Sequence, residues 1–370
     1  MLLHGIFPPV TTPFYPEGNV YYKKLEFNVD RYSRGPVAGL VVLGSTGEAI
    51  LLSDEERRNV LRAAAGAAAP HKVLIAGAGM ESAVETLRLI EFAADLGYDA
   101  ALVRTPYFYR NQMERPVNML AFYRTVADRS PLPVMLYNYP QTTGYELPVE
   151  LIAELAGHPN IIGIKESSGS VEKIRAIAEA TRGIKQSASV TEVQEAVTGR
   201  MLKAASAPSS PPAAGDLIPV GALTSQSGGS DASAAKAAPR PSSSAVQVVG
   251  GLKTRQKEVG FQVVTGSAHN LLESLDAGAV GGILGFACAA PTACFETLVA
   301  WKERATDIAR EKQDRIAAAA LKVASELSVP GVKYAMDLNG YYGGTVRLPL
   351  LPLTAKEKAD IERLIVTIRV

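Results

Sequence analysis

Ile161-Ile-Gly-Ile-Lys-Glu-Ser-Ser-Gly169 is the stretch on which the fold turns. Residues 161–164 form an apolar run short enough for a buried parallel strand, and Lys165 follows at its C-terminal edge, before a polar turn. A lysine there cannot reach bulk water as one on a helix face does, so its ammonium is partly desolvated and its pKa is expected to fall. A neutral amine is what a Schiff-base nucleophile requires. A lysine salt-bridged inside a barrel mouth fits the strand equally well, so the flanking segments must decide.

Outward from this strand, short apolar runs alternate with longer amphipathic segments. Upstream, strands are predicted at residues 5–11, 39–43, 73–77, 100–103 and 134–137, with helices at 21–34, 53–67, 82–96, 116–129 and 148–156. Ser53 followed by Asp54, Glu55 and Glu56 reads as a cap with acidic residues at the positive end of a helix dipole. Downstream, a helix is predicted at 171–181. The rhythm then stops at about 183–259, where aromatics are scarce and residues 204–245 are dominated by Ala, Ser, Pro and Gly. Such a centre cannot bury enough apolar area to offset its ordering entropy and reads as disordered or linker-like, with short helical patches at about 190–202. A tolerated spacer, a regulatory or partner-binding insert and a translated non-coding stretch all fit it. Strands resume at 261–265 and 280–284, with helices at 270–276 and 291–306.

Eight βα units favour a closed (β/α)8 TIM barrel over a doubly wound sheet. The barrel is expected over residues 1–306, interrupted by the low-complexity insert. Residues 307–370 follow as a C-terminal helical region with runs at 310–327, 331–338 and 355–368. A loop from the sixth helix to the seventh strand lies on the N-terminal face of such a barrel, away from chemistry at the other face.

Composition narrows the function. The 370 residues carry 38 basic and 37 acidic side chains and are 47% hydrophobic, which suits an ordinary globular protein and gives nucleic-acid binding no support. Cys288 and Cys294 lack metal-ligand spacing and read as reduced core thiols. No apolar run reaches membrane-spanning length and the first residues do not resemble a signal peptide, so a cytoplasmic location is expected.

In a barrel, the C-terminal ends of the strands converge on one pocket. Strand two ends in Gly44-Ser-Thr-Gly-Glu48, a tight turn whose hydroxyls and amides can hold a carboxylate. Strand four runs into the aromatic loop Tyr107, Phe108, Tyr109, and strand five ends in Tyr137-Asn-Tyr-Pro140. Tyr137 and Lys165 are 28 residues apart, one βα unit, so they are expected at equal heights on neighbouring strands. A phenol beside an amine suits carbonyl chemistry: the amine attacks a ketone, the phenol moves protons, and the iminium is the electron sink for C–C cleavage.

Together, Gly44-Ser-Thr-Gly-Glu48, Tyr137-Asn-Tyr-Pro140 and Gly163-Ile-Lys-Glu166 resemble the dihydrodipicolinate synthase / N-acetylneuraminate lyase family of class I aldolases. The resemblance covers nearly the whole chain except the insert. It implies a (β/α)8 barrel with a C-terminal helical region, a homo-oligomer (dimer or tetramer), and a 2-oxo acid such as pyruvate bound as a lysine Schiff base, with no metal or organic cofactor. By position, Lys165 is the Schiff-base lysine, Tyr137 the proton-transfer tyrosine, and Ser45 and Thr46 the hydroxyl pair that holds the substrate carboxylate and joins the relay. Ser167, in the turn after the lysine, is a further substrate-binding candidate.

Two departures from the family pattern bear on substrate. The synthases that make the dipicolinate precursor carry an arginine after the Tyr-Asn-x-Pro motif; here that position is Thr142, which cannot form a bidentate pair with a carboxylate. Phe108 stands where the relay's tyrosine from the neighbouring subunit is expected, so that hydroxyl must come from Tyr107 or Tyr109 or the relay is shortened. Other stretches, His158-Pro-Asn-Ile161, Gly266-Ser-Ala268, Ala279-Val-Gly-Gly282, Val329-Pro-Gly-Val-Lys333 and Gly340-Tyr-Tyr-Gly-Gly344, look most like 4-hydroxy-2-oxoglutarate aldolases. The first expectation is therefore cleavage of a 4-hydroxy-2-oxo acid to pyruvate and an aldehyde. The alternatives are 4-hydroxy-tetrahydrodipicolinate synthase, a sugar-acid aldolase or dehydratase, and a non-catalytic 2-oxo-acid sensor.

Overall fold

The protein, a computed structural model, is described over residues 1–206, 247–249 and 252–368. In chain order, β1 (Gly5–Phe7), α1 (Tyr22–Ser33), β2 (Gly39–Val42), α2 (Asp54–Ala67), β3 (Val73–Gly77), α3 (Ala83–Asp95), β4 (Ala100–Arg104), α4 (Arg110–Met113), α5 (Pro116–Arg129), β5 (Val134–Asn138), α6 (Pro140–Thr143), α7 (Val149–Ala156), β6 (Ile161–Glu166) and α8 (Val171–Ala180) build the first six βα units. Then come β7 (Ser187–Thr191), α9 (Gly199–Ser206), β8 (Gln247–Val249) and β9 (Leu252–Glu258). The rhythm resumes with β10 (Gln262–Thr265), α10 (Leu271–Asp276), β11 (Gly281–Ile283) and α11 (Pro291–Lys302). A C-terminal region of α12 (Thr306–Ala320), a π-helical turn (Leu321–Glu326), α13 (Ser328–Leu338) and α14 (Ala355–Ile365) follows.

Local chemistry explains where these elements begin. Ser53 accepts the Glu56 amide while Glu56 accepts the Ser53 amide, a reciprocal cap on α2, and Thr354 with Glu357 repeats it on α14. Ser82 and Ser170 cap α3 and α8. The strands are buried along their length, as parallel strands covered on both faces must be.

Eight parallel strands run in the order β1-β11-β10-β6-β5-β4-β3-β2. The residues after β1 close the ring against β2, with the Val41 amide donating to Pro8 O and the Val10 amide to Val41 O. The result is a (β/α)8 barrel. Its interior is filled by Leu3, Phe7, Val41, Ile75, Leu102, Met135, Ile162, Val264 and Ile283, with Tyr137 among them. A second apolar layer joins the outer faces of the strands to the helices, and a third lies between α10, α11 and the C-terminal helices.

One irregularity decides where Lys165 points. The residue after the apolar run does not end β6, which continues to Glu166. Against β5, Val134 pairs with Ile161 and Met135 with Gly163, so Ile162 is the extra residue of a bulge. Ile162 faces the barrel interior, Ile164 faces the helices, and Lys165 then faces inward, which strict alternation from Ile162 would forbid. Gly163 permits this because a Cβ there would stand 2.2 Å from Gln262 O of β10.

The interrupted region needs correction. Its flanks are not low-complexity chain: β7 pairs antiparallel with β9 from Ser187↔Glu258 to Thr191↔Thr254, and β8 pairs with β9. The expected helical patch at 190–202 is displaced to α9, with strand in its place at Ser187–Thr191. The linker-like centre expected at 204–245 lies outside the described residues from 207 onward. The described part sits on the N-terminal face, as its position in the chain predicts. Thr198 Oγ1 donates to Pro70 O, the Gly199 amide to Asp99 Oδ1, and Arg200 to Lys72 O, all just before β3 or β4 begins. Leu2, Ala188 and Val190 close that end of the barrel.

Candidate active site

At the opposite mouth, Arg104, Tyr137 and Lys165 occupy one rung of the barrel: β4, β5 and β6 pair Arg104 with Tyr137 and Tyr137 with Lys165. Lys165 is 5% exposed, and its Nζ donates to Tyr137 Oη at 3.2 Å. The same phenol oxygen lies 3.2 Å from Ser45 Oγ, and either hydroxyl can donate. An amine, a phenol and an alcohol thus form one hydrogen-bonded chain. Protons can move along it between a carbon at the lysine and a group at the cavity mouth.

Ser45 is placed by a loop of two 3₁₀ turns, Ser45–Gly47 and Ala49–Leu51, joined at Glu48 in the left-handed conformation with φ 54°. The Gly47 and Glu48 amides close the first turn onto Gly44 O and Ser45 O, so the carboxylate-holding amides expected here are only those at its start. Thr46 is not in the chain from Lys165; its hydroxyl lies toward Gly285, beyond β11. Glu48 turns away from the cavity into the protein. Its carboxylate pairs with Lys333 of α13 at 2.5 Å, both side chains being 1% exposed, and accepts the Arg347 amide at 2.9 Å. Lys333 also donates to Thr12 O and Thr345 O, and Arg347 forks onto both oxygens of Glu56. The C-terminal region is thereby tied to the loop that presents Ser45.

A second network stiffens the strand ends around the lysine. Asn138 donates to Glu166 Oε2 at 2.8 Å and accepts the Leu147 amide, while Glu166 Oε1 accepts the Ser168 amide at 2.6 Å. Ser167 follows with its amide on Asn138 O and its hydroxyl buried, without a partner among the described residues, against Gly266. A buried hydroxyl left unpaired, two residues after the lysine in sequence, keeps its capacity to donate. Thr142 is exposed, and its hydroxyl is already donated to Tyr139 O within the turn. Of the aromatic loop, Tyr107 lines the cavity, whereas Phe108 and Tyr109 are 72% and 69% exposed and do not line it.

The cavity at this mouth, about 180 Å³, is lined by Ser45, Tyr137, Arg57, Glu81, Arg104 and Tyr107 among others. Neither arginine nor Glu81 stood out in the sequence; Asn138, Glu166, Glu48 and Lys333 stood in quoted motifs without being joined. The signal that could have found Arg104 is its position, the last residue of a strand whose neighbours end in Tyr137 and Lys165. Among the described residues no group of three or more His, Cys, Asp or Glu is placed to hold a metal ion, and no helix is long and apolar enough to cross a membrane. Cys288 and Cys294 are free and buried.

Comparisons with known proteins give the family. Residues 2–190 and 245–368 match the model of the dihydrodipicolinate synthetase family. The gap between them falls within the interrupted region. A 4-hydroxy-tetrahydrodipicolinate synthase from Xanthomonas axonopodis pv. citri is 42% identical over 177 residues, covering 48% of this chain and 58% of that protein. The match thus spans less than two thirds of the relative's length. Among solved structures, a prophage protein of the dihydrodipicolinic acid synthase family from E. coli K12, in complex with pyruvate, superposes with a TM-score of 0.73 at 24% identity, over 100% of this chain and 99% of that one. A dihydrodipicolinate synthase from Bacillus anthracis superposes with a TM-score of 0.74 at 21% identity, covering 100% of both chains. By the family match across both halves of its barrel, the chain belongs to the dihydrodipicolinate synthetase family.

Proposed function

We propose that the protein is a Schiff-base class I aldolase that cleaves a 4-hydroxy-2-oxo acid, such as 4-hydroxy-2-oxoglutarate, to pyruvate and an aldehyde. The observation that carries the reading is the chain Lys165 Nζ, Tyr137 Oη, Ser45 Oγ, with 3.2 Å between successive atoms. The Lys165 amine attacks C2 of the substrate. Tyr137 passes a proton to the carbinolamine hydroxyl, which leaves as water to give the iminium. The C3–C4 bond then breaks: its electron pair moves into the iminium to form an enamine, and the C4 hydroxyl proton passes to the phenol chain as the aldehyde departs. Protonation of the enamine at C3 and hydrolysis release pyruvate and restore the amine. Ser45, Thr46 and the amides at the start of their turn would hold the pyruvyl carboxylate, with the Ser167 hydroxyl as a further donor.

The synthase reading is favoured by the names of the relatives. Thr142 weighs against it, being exposed, neutral and already bonded to Tyr139 O, which leaves no fork for a second carboxylate at that turn. We also take the active form to be a homo-oligomer, supported by two adjacent exposed aromatics, Phe108 and Tyr109, at the mouth of the site. Borohydride trapping with pyruvate tests the chemistry: reduction should add one pyruvyl unit to the wild type at Lys165 and none to Lys165→Ala. Absence of an adduct in the wild type would remove the Schiff-base mechanism. Condensation of pyruvate with aspartate semialdehyde faster than cleavage of 4-hydroxy-2-oxoglutarate would reverse the choice between the two enzymes.

A further inference from the structure

The cavity holds more positive charge than pyruvate needs. Arg57, on the first turn of α2, and Arg104, at the end of β4, both line it, and among the described residues Glu81 is the one carboxylate that lines it with them. Arg104 is partly satisfied: its Nη1 lies 2.9 Å from Glu81 Oε1 and 3.2 Å from Thr105 O, and its guanidinium lies 4.7 Å from the centre of the Tyr107 ring. Glu81 is itself shared, its other oxygen accepting the amides of Tyr107 and Phe108. Arg57 is different. Its Nε donates to Ala49 O, and its terminal nitrogens have no acceptor among the described residues. A half-buried guanidinium fork without an acceptor, beside a second guanidinium, is the complement of a carboxylate.

Position makes this specific. Arg104 stands on the same rung as Tyr137 and Lys165, one strand beyond the phenol, so a substrate carbon chain attached to Lys165 and running past Tyr137 reaches Arg104 next. The room is preserved by Gly79, where a Cβ would stand 2.6 Å from Arg104 Cγ and 2.4 Å from its backbone nitrogen. From this geometry we infer that Arg57 and Arg104 form the subsite for the distal carboxylate of the substrate, so that the favoured 2-oxo acids are dicarboxylates and the aldehyde released carries an acid group. The assignment rests on the Schiff-base reading of Lys165, and it supplies from β4 and α2 the cationic grip that Thr142 lacks. Glu81 is the positioning residue: it holds the Arg104 fork and, through two amides, the Tyr107 turn against the cavity.

The test separates the subsite from the chemistry. Lys165 is trapped by borohydride with pyruvate, with 2-oxoglutarate and with 2-oxopentanoate, the last two differing only in the distal carboxylate. The concentrations for half-maximal adduct are measured in wild type, Arg57→Met, Arg104→Leu and Arg104→Lys. The wild type should take 2-oxoglutarate at a concentration about ten- to hundredfold below 2-oxopentanoate, the range of a charge-assisted bond. Arg57→Met and Arg104→Leu should lose that preference, with a much smaller change in pyruvate trapping than in diacid trapping, and Arg104→Lys should regain part of it. Pyruvate trapping without any diacid preference in the wild type overturns the subsite alone. Equal losses on the diacid, the monoacid and pyruvate in the arginine variants overturn it too, by showing a structural role. If the wild type traps no pyruvate at Lys165, the Schiff-base reading fails first and the inference with it.

Discussion

Lys333→Met is the perturbation that examines the architecture behind the site most directly. The ammonium it removes is 1% exposed, lies 2.5 Å from Glu48 Oε1, donates to Thr12 O and Thr345 O, and sits 4.5 Å from the centre of the Phe14 ring. Burial pushes the Lys333 pKa down and the Glu48 carboxylate pulls it up, with burial the larger influence. Methionine keeps the packing against Phe14 and leaves Glu48 as a buried charge without its ion-pair partner, held by the Arg347 amide and the more distant Arg347 guanidinium. Breaking a buried pair from one side costs about 3–5 kcal/mol, a large part of a typical stability of about 5–15 kcal/mol. Removing both charges, as in Glu48→Gln with Lys333→Met, leaves no stranded ion, and the double variant should recover about 2–3 kcal/mol of the single loss. Urea unfolding followed by circular dichroism on the four proteins of this cycle gives the coupling directly. A loss below about 1 kcal/mol for Lys333→Met, or additive losses in the double variant, would refute the claim that this pair ties the C-terminal region to the loop carrying Ser45.

Three further outcomes are expected. Tyr137→Phe breaks the chain between Lys165 and Ser45 and should lower kcat about 10²- to 10⁴-fold while pyruvate is still trapped at Lys165 given time; a kcat within threefold of wild type would remove the phenol from the relay. His4 is held down at a pKa of about 4 by burial, then by Lys257 and Lys302, so its neutral form belongs to the folded state. Between pH 6.5 and 4 the unfolded chain binds the extra proton, and stability should fall as pH drops through that window, by at most about 3 kcal/mol from this group. His4→Gln should flatten the dependence, and an identical slope in urea midpoints between pH 7 and 4.5 would show that His4 contributes nothing. Replacing residues 207–246 by a short Gly-Ser linker should leave turnover unchanged, because β7, α9 and β9 meet the barrel at its N-terminal face; a loss of kcat with an intact thermal transition would show that the segment serves catalysis.

Much of this molecule was legible because its information is local. Each buried parallel strand is a short apolar run, and several helices carry their own cap, as Ser53, Ser82 and Ser170 show, so the βα rhythm could be followed residue by residue. The Tyr137–Lys165 pairing was legible for a related reason: one βα unit separates them, and neighbouring strands of a barrel stand in register. The antiparallel pairing of β7 with β9 was not, because its partners lie on either side of a long polar stretch and neither alternates strongly enough to announce the other.

The sequence by itself determined the barrel, the amine and the phenol, since periodicity and spacing specify which elements form and which strand ends converge. Tertiary structure alone decided what surrounds them. The bulge at Ile162 aims Lys165 inward only because β5 and β6 pair as they do; Glu48 finds Lys333 and Arg347 from the far end of the chain; and Arg57 meets Arg104 across a helix and a strand. These are contacts between elements whose sequences carry no mark of one another, made where closure of the barrel brings charged groups from distant parts of the chain together.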